Sequence, residues 1–171
     1  TDPPCHDMGA MPFDHRQFRD VMGCFATGVA VATAVDGQGR PAGVTVSSFT
    51  SLSLDPPLIL FCLEWTAETW PTFRDGEHFA VNILGEGQKA ISSRFAAMRT
   101  DRWAGVEHRR GLHGCPLLLD TVGWIVCRKE TVHEGGDHAI IIGRVEALDR
   151  DAARSPLLHF RGAYGRFLRE E

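Results

Sequence analysis

The chain has 171 residues, 43% of them hydrophobic, and a formal net charge of −4 at pH 7, which suits one well-buried domain. No basic run is present, so we expect no nucleic-acid partner. The longest apolar stretches are too short to span a bilayer, and residues 1–11 lack the build of a signal peptide, so we expect a cytoplasmic protein without membrane contact.

The first predicted element is a helix that follows an N-terminal tail. We predict that residues 1–12 form a flexible tail and that residues 13–171 form a single domain. Asp14 and Gln17 have the spacing of a capping box. Apolar residues then recur at helical spacing up to Thr27-Gly28, which predicts an amphipathic helix.

Three strands are predicted next. Residues 29–35 and 42–47 are separated by a turn that contains glycine and proline, which indicates a hairpin. Residues 58–63 are almost wholly apolar, which predicts a strand that is buried on both faces.

The rest of the chain alternates helical, irregular and extended patterns. In order, these are a short helix at 66–75, a strand at 77–84, a helix at 88–99, an irregular segment at 102–116, long strands at 117–132 and 138–149, and an extended piece within 157–168. The strands, about six or seven in all, are mostly linked as hairpins, which argues against a doubly wound parallel sheet. We therefore predict a mainly β fold with inserted helices, namely a closed antiparallel barrel.

The most informative segment is the hydroxyl-rich run from Thr45 to Ser51, which lies between apolar strands. Hydroxyls with apolar neighbours, at the end of a strand, suggest a pocket with donors for an oxygen-rich ligand such as a phosphorylated cofactor. A bend there would also free backbone N–H groups to meet ring carbonyls or a phosphate. The alternative is an ordinary Ser/Thr-rich edge strand.

Two further polar side chains are candidates for ligand contacts. Asn82 lies in an apolar strand, where an unpaired amide is costly, so it needs a backbone partner or a ligand amide or hydroxyl. Arg94 follows on the next helix, with Ser92 beside it. Its guanidinium could fork onto a phosphate or could simply be solvated.

The third candidate is His138, which opens an apolar strand directly after Gly135-Gly136-Asp137. There its imidazole could hydrogen-bond a substrate carboxamide or lie against an aromatic ring. The alternative is an ordinary hairpin in which Gly136 and Asp137 only form the turn. No Ser-His-Asp or Cys-His arrangement suggests itself, which leaves hydrolytic catalysis with little support.

The cysteines suggest a reducing environment and no metal. There are five, an odd number, and no two have C-x-x-C spacing, which favours reduced thiols over a disulfide framework. No two Cys or His residues have the spacing of a tetrahedral site, so we predict no metal site.

Seven motifs extend over roughly residues 13–168 of the chain. They are Phe25-x-Thr27-Gly28-Val29-x-Val31, Gly43-Val44-Thr45-Val46-Ser47-Ser48-Phe49 to Pro57-Leu58, Phe79-Ala80-Val81-Asn82-Ile83-Leu84, Ser92 to Ala96, Gly114-Cys115-Pro116, Gly136-Asp137-His138, and Pro156-Leu157 to Tyr164. In this order they resemble the short-chain flavin reductase family, which supplies reduced flavin to two-component monooxygenases.

The resemblance implies a split barrel of the FMN-binding type that works as a homodimer. It implies FMN or FAD as the flavin, NADH or NADPH as the hydride donor, and a transient partner monooxygenase. Nicotinamide contacts are implied for Asp137, His138 and Tyr164. Flavin contacts are implied for Thr27, Thr45, Val46, Ser47, Ser48, Ser51, Asn82, Ile83, Leu84, Ser92, Arg94 and Phe95.

The predicted function is that of an NAD(P)H:flavin oxidoreductase, with NADH preferred because no basic residue beyond Arg40 suggests a reader of the 2′-phosphate. Two alternatives remain open. One is a flavoprotein electron carrier of the same fold that holds its flavin permanently. The other is a non-catalytic binding barrel, in which the hydroxyl run is only an edge strand.

Overall fold

The computed structural model describes residues 12–98 and 101–170, so nearly all of the predicted tail lies outside the described residues. The described part is mainly β, with short helices between strands. Its helices and strands are α1 (His15–Met22), β1 (Thr27–Gly28), β2 (Ala30–Val35), β3 (Pro41–Val46), β4 (Thr50–Leu54), β5 (Pro57–Glu64), α2 (Trp70–Asp75), β6 (His78–Ile83), α3 (Lys89–Ala96), β7 (His108–Arg110), β8 (Pro116–Leu118), β9 (Gly123–Gly135), β10 (His138–Arg150), β11 (Leu157–Phe160) and β12 (Ala163–Arg166). No helix in these ranges is long and apolar enough to cross a membrane.

Helix α1 begins at the predicted capping box. The backbone N–H of Gln17 donates to Asp14 Oδ1 at 2.7 Å, and the backbone N–H of Asp14 donates to Gln17 Oε1 at 2.9 Å. No residue of this helix is buried, and the apolar side chains of Phe18, Val21 and Met22 are 54%, 71% and 53% exposed. The helix is amphipathic as predicted, but it ends at Met22 and not near Thr27-Gly28, which form β1. Its apolar face is largely uncovered within the described chain, where Phe18 stacks on Phe13 at a centroid distance of 6.2 Å.

A seven-stranded sheet organises the molecule. Its order is β3-β2-β6-β9-β10-β5-β4, and the neighbouring strands all pair antiparallel. This confirms the predicted mainly β class with hairpin connections. Strands β3 and β4 are the two ends of the order, and no ladder joins them within the described ranges.

Strand β5 corrects one prediction, because its burial alternates. Ile59, Phe61 and Leu63 are 5%, 0% and 4% exposed, and the residues between them are only partly buried. The buried face packs on an aromatic cluster, with Phe61 edge-on to Phe73 and Phe79 at centroid distances of 5.6 and 5.2 Å. The opposite face carries Cys62, which lines a cavity, so the strand is not buried on both faces.

The predicted strand at 117–132 is two separate strands. Leu117 and Leu118 belong to β8, which pairs with β7 of the segment predicted to be irregular. Asp120 adopts a φ of 61°, a left-handed conformation that interrupts a strand. The chain therefore turns there, and β9 starts only at Gly123.

Asn82, near the end of β6, links the seven-stranded sheet to the small β7-β8 sheet. Its side-chain amide donates to the Val31 carbonyl and to Thr33 Oγ1, both at 3.1 Å. Its Oδ1 accepts from the backbone N–H of Leu118 at 2.9 Å. The amide is fully buried and has protein partners at both ends, so it links β6 to β2 and β8.

Candidate functional site

A cavity of about 390 Å³ lies where β3 ends, beside β5, the end of α3 and the start of β10. We call it the β3–β5 pocket, and its size is within the range of small-molecule sites. It brings together residues far apart in the chain. The predicted site residues in its wall are Thr45, Val46, Ser47, Ser48, Phe95 and His138.

The hydroxyls of the β3–β5 pocket fasten its walls to one another. Thr45 Oγ1 donates to the carbonyl of Ser92 on α3 at 2.7 Å. Ser48 Oγ accepts from the Cys62 N–H at 2.9 Å and donates to the Cys62 carbonyl at 3.0 Å, as a strand neighbour would. Residues 47–49 lie between β3 and β4, so their backbone groups are not committed to either strand.

The hydroxyl-rich run therefore divides into two parts. Its first half, up to Ser48, lines the pocket. Its second half, from Thr50, is β4, the edge strand of the sheet. Ser51 lies in that edge strand and is exposed. The first half of the run therefore lines a pocket, whereas the second half is the ordinary edge strand that was the alternative.

Helix α3 reaches the pocket through Phe95, which is fully buried. A Cβ on Gly43 would lie 2.6 Å from Phe95 Cε1, so only glycine at that position lets the ring pack this closely on β3. The helix ends at Ala96, three residues before the predicted end. Met98 lies past the helix and is 68% exposed, although it still borders the pocket.

Among the described residues, Arg102 is the arginine that lines the pocket, and sequence reasoning did not select it. Its side chain is 11% exposed. Its guanidinium donates to the carbonyls of Ala97 at 2.7 Å and Gly43 at 3.0 Å, and it pairs with Glu68 at 3.2 Å. Arg94, the predicted phosphate ligand, instead donates to the Ala104 carbonyl and does not line this pocket. The only signal for Arg102 was its place at the start of the predicted irregular segment.

Thr69 contributes a hydroxyl without a protein partner to the same wall. The residue is 7% exposed, and its Oγ1 is the one buried side-chain polar atom within the described ranges that makes no hydrogen bond. It precedes α2 but makes no capping bond with its side chain. A buried, unpaired hydroxyl costs free energy, so this atom suits a ligand that supplies an acceptor or donor.

His138 is oriented by its neighbours. Its Nδ1 lies 2.7 Å from Asp137 Oδ1, and this hydrogen bond lowers the pKa of the Asp137 carboxyl. Trp65 holds the turn in place, since its Nε1–H donates to the Gly136 carbonyl at 3.0 Å and its backbone N–H donates to the Asp137 carbonyl. With Nδ1–H directed at a carboxylate, Nε2 is the ring nitrogen that can accept a hydrogen bond.

The remaining predicted site residues lie outside the β3–β5 pocket. Asn82 and Leu84 are fully buried, and Ser92 Oγ bonds the Tyr164 hydroxyl at 2.8 Å. Asp137 contacts His138 but does not line the cavity. Thr27 and Ile83 line a second cavity of about 400 Å³.

That second cavity shares a wall with the first. Val46 and Ser47 border both, so the end of β3 forms a partition with a cavity on each side. A larger cavity of about 790 Å³ lies elsewhere, between Glu86, Glu107 and Arg154. It contains none of the predicted site residues, and we therefore assign the site to the β3–β5 pocket and its neighbour.

Two cysteines are part of the core and not of the site. Burial raises the pKa of Cys115 to about 11 and that of Cys127 to about 12. Because the thiolate is the reactive form, neither residue is a nucleophile at neutral pH. Cys24, Cys62, Cys115 and Cys127 are all free thiols, as predicted for them, while Cys5 lies outside the described residues.

The sequence and the fold both match known proteins. A family model described as "Flavin reductase like domain" matches residues 22–168. The chain is 45% identical over 157 residues to "Probable flavin reductase" of Rhizobium meliloti, covering 92% of this chain and 50% of that protein. It is 40% identical over 157 residues to "Flavin-dependent monooxygenase, reductase subunit HsaB" of Rhodococcus jostii, covering 92% and 80%.

A solved structure agrees with these matches. The NADH:FAD oxidoreductase SgcE6 of Streptomyces globisporus, in complex with NAD and FAD fragments, superposes with a TM-score of 0.86 at 36% identity. The match covers 91% of this chain and 93% of that one. By contrast, the chain spans only half the length of the Rhizobium meliloti relative.

Proposed function

This chain belongs to the flavin reductase-like domain family, and from that premise we propose that it is an NAD(P)H:flavin oxidoreductase. It reduces FMN or FAD by hydride transfer and releases the reduced flavin to a partner monooxygenase. The relatives support this, since one is named as a reductase subunit of a flavin-dependent monooxygenase and another as an NADH:FAD oxidoreductase. The latter name also supports NADH as the donor.

The observation that carries the proposal is the meeting of two distant segments at one cavity. The end of β3, with Thr45 to Ser48, forms one wall, and His138 stands at the start of β10 on another. The first segment provides uncommitted backbone groups at residues 47–49, and the second provides an imidazole acceptor. A flavin ring and a nicotinamide need these two kinds of contact at one place.

The residues of the pocket fit a flavin. The Thr69 hydroxyl would bond a polar atom of the flavin, and the backbone N–H groups at residues 47–49 would stabilise negative charge on a reduced flavin held there. Arg102 lines the same pocket as one half of an ion pair with Glu68. The flavin itself supplies the redox chemistry, by accepting a hydride from the nicotinamide.

His138 positions the nicotinamide. Its Nε2 accepts a hydrogen bond from the carboxamide N–H₂, while Asp137 keeps the proton on Nδ1. No protein acid or base is needed for the hydride step, so these residues bind and orient. Among the residues implied by the resemblance, Ser92 supports the pocket wall through its carbonyl, which accepts from Thr45.

The proposal includes a closed split barrel. Ser48, just beyond β3, binds both backbone groups of Cys62 on β5. The side chain thus bridges the β3 end of the sheet to β5, which stands next to the other end. A contact between the two ends of the strand order is expected when a sheet closes into a barrel, so this side-chain bridge supports closure.

The proposal also includes a homodimer. The apolar face of α1, formed by Phe18, Val21 and Met22, stays more than half exposed within the described chain. Phe25 follows the helix and is 72% exposed, although it borders the cavity that contains Thr27. A contiguous apolar face of this kind marks an interaction surface, and a second copy that covers it would also enclose that cavity.

A direct assay of nicotinamide oxidation tests the function. Desalted protein is mixed with NADH or NADPH and with FMN, FAD or riboflavin, and nicotinamide oxidation is followed optically. We expect NADH oxidation that needs added flavin and saturates with it. Protein that stays yellow after desalting and turns over without added flavin would indicate the electron carrier, and no oxidation with any flavin would indicate the binding barrel.

A further inference from the structure

A second cluster of chemically active side chains lies away from the β3–β5 pocket. It consists of His78 at the start of β6, His113 in the turn before β8, and Glu146 in β10. One ligand atom from each of the three lies within 4.8 Å of the others. None of the three lines the β3–β5 pocket or its neighbour.

The carboxylate is brought to the two imidazoles by an irregularity in the sheet. The ladder between β9 and β10 pairs Val145 with Cys127 and Ala147 with Val126, so Glu146 is an extra residue without a cross-strand partner. An insertion of this kind is a β-bulge, which bends the strand and re-aims a side chain. The side chain of Glu146 is 29% exposed and lies beside the imidazole rings of His78 and His113.

The two imidazoles are held together and face the same oxygen. Their ring centroids are 3.6 Å apart with planes inclined by 20°. His113 Nε2 lies 2.7 Å from Glu146 Oε2, and His78 Nε2 lies 3.9 Å from that atom. His113 adopts a φ of 55°, an uncommon left-handed conformation for a non-glycine residue, and this conformation puts its ring over His78.

We propose that His78, His113 and Glu146 form a binding site for one divalent transition-metal ion, with zinc as the best-suited metal. Two imidazole nitrogens and one carboxylate oxygen are a donor set that zinc takes, with water as the fourth ligand. Two donors at about 2.0–2.1 Å from a tetrahedral zinc are about 3.3 Å apart. The nitrogen–oxygen distances of 2.7 and 3.9 Å lie on either side of that value. The two rings are stacked with planes inclined by only 20°, so on binding they must turn out of this stack until both nitrogen lone pairs point at the ion.

The site escapes sequence reasoning because its ligands come from three separate elements. A spacing rule detects ligands that share one loop or helix, whereas these three are 35 and 33 residues apart along the chain. The side chains are 23%, 35% and 29% exposed, which leaves a route for the ion and a place for the water ligand.

The test is zinc binding by the 171-residue chain. Protein freed of metal with a chelator is titrated with ZnCl₂ by calorimetry, and Co²⁺ replaces zinc as an optical probe of tetrahedral geometry. Cys5 and His6 are first replaced by Ser and Ala in every sample, since a thiol and an imidazole can bind zinc independently. We expect one zinc per chain and a visible Co²⁺ absorption band.

Variants identify the ligands. We expect H113A and E146Q each to weaken zinc binding by at least about tenfold, and E146Q keeps the shape of the side chain in case H113A folds poorly. The exposed His133 is the matched control, and H133A keeps full affinity. The proposal is overturned if the parent chain takes up no zinc, or if H113A and E146Q bind it as tightly as H133A does.

Discussion

Thr69 makes the flavin site testable at the level of one atom. Its hydroxyl has no hydrogen-bond partner among the residues that the structure describes, so Thr69→Val removes no hydrogen bond that stabilises the described fold. We expect the free energy of unfolding in urea to stay within about 0.5 kcal/mol of the parent value. If the hydroxyl bonds the flavin, the KM for flavin rises about fivefold, the equivalent of about 1 kcal/mol for one hydrogen bond.

Thr33→Val is the matched contrast for that substitution. Thr33 is equally buried, but its hydroxyl donates to the Pro116 carbonyl at 2.6 Å and accepts from Asn82. We expect this variant to lose about 1–3 kcal/mol of stability. A similar loss in Thr69→Val would contradict the unpaired state of the Thr69 hydroxyl.

His138→Ala tests the nicotinamide contact. We expect the KM for NADH to rise about tenfold, because the variant loses one hydrogen bond to the nicotinamide worth about 1.4 kcal/mol. The KM for flavin should change less than about twofold, since this hydrogen bond does not involve the flavin. Steady-state kinetics with each substrate varied in turn measures both constants. Unchanged kinetics with NADH would exclude this role for His138.

The Asp137–His138 pair also predicts how pH acts on this contact. The hydrogen bond from His138 lowers the pKa of Asp137 below its usual value of 3.8. The carboxylate therefore stays ionised through the neutral range, and its support is lost only as pH falls through the lowered pKa. Asp137→Asn removes the charge at all pH values, and we expect a smaller rise in the KM for NADH than with His138→Ala.

Cysteine labelling maps the pocket without a kinetic assay. At pH 8 we expect iodoacetamide to leave Cys115 and Cys127 unmodified, because their raised pKa values of about 11 and about 12 keep both thiols protonated. Cys62 lines the pocket, so we expect flavin to slow its labelling. Cys24 is exposed and serves as the internal control in peptide mass spectrometry; equal rates at Cys62 with and without flavin would place the flavin elsewhere.

At the residue scale, the sequence indicates which segments meet but not what their atoms do. Two features can be recognised in the sequence as polar groups at strand ends, namely the run from Thr45 to Ser48 and the single residue His138. In the structure both line the same pocket. The partners of those hydroxyls, Ser92 and Cys62, lie far along the chain. Arg102 and Thr69 could not be selected, because only the packing of distant elements buries them.

At the scale of elements, Gly143 is where β10 passes over the aromatic core. A Cβ at this position would lie 2.4 Å from Phe79 Cζ and 2.7 Å from Cys127 Cβ. We expect Gly143→Ala to cost about 1–3 kcal/mol of stability through overpacking, measured by urea unfolding. Gly37→Ala is the control, since its Cβ would meet nothing within 4 Å, and equal stability of the two variants would contradict the close contact.

Local signals predicted elements well where the cause is local. The capping box starts α1 as expected, and the turn at Gly136 and Asp137 joins β9 and β10. The break at Asp120 and the alternating burial of β5 depend on neighbours that are distant in the chain. No periodicity in a single strand contains that information.

At the scale of the whole molecule, α1 tests the homodimer. We expect Val21→Glu to shift the protein from dimer to monomer in sedimentation analysis, since it places a charge in the apolar face. Arg16→Gln changes the net charge by the same amount at a side chain that is 88% exposed. We expect this control to stay dimeric. The proposed interface would be contradicted if the parent chain were monomeric or if Val21→Glu remained a dimer.

The strand order β3-β2-β6-β9-β10-β5-β4 sets the sequence of events during synthesis. Strands β2 and β3 can pair as soon as both have emerged from the ribosome. Strand β5 can pair at once with β4, which precedes it, but its other edge must wait for β10, whose first residue, His138, emerges 74 residues after Glu64. Such distant pairing slows folding, and until then β5 presents one unpaired edge to other nascent chains. The β3–β5 pocket is therefore completed late, once the β9–β10 hairpin has docked on β5.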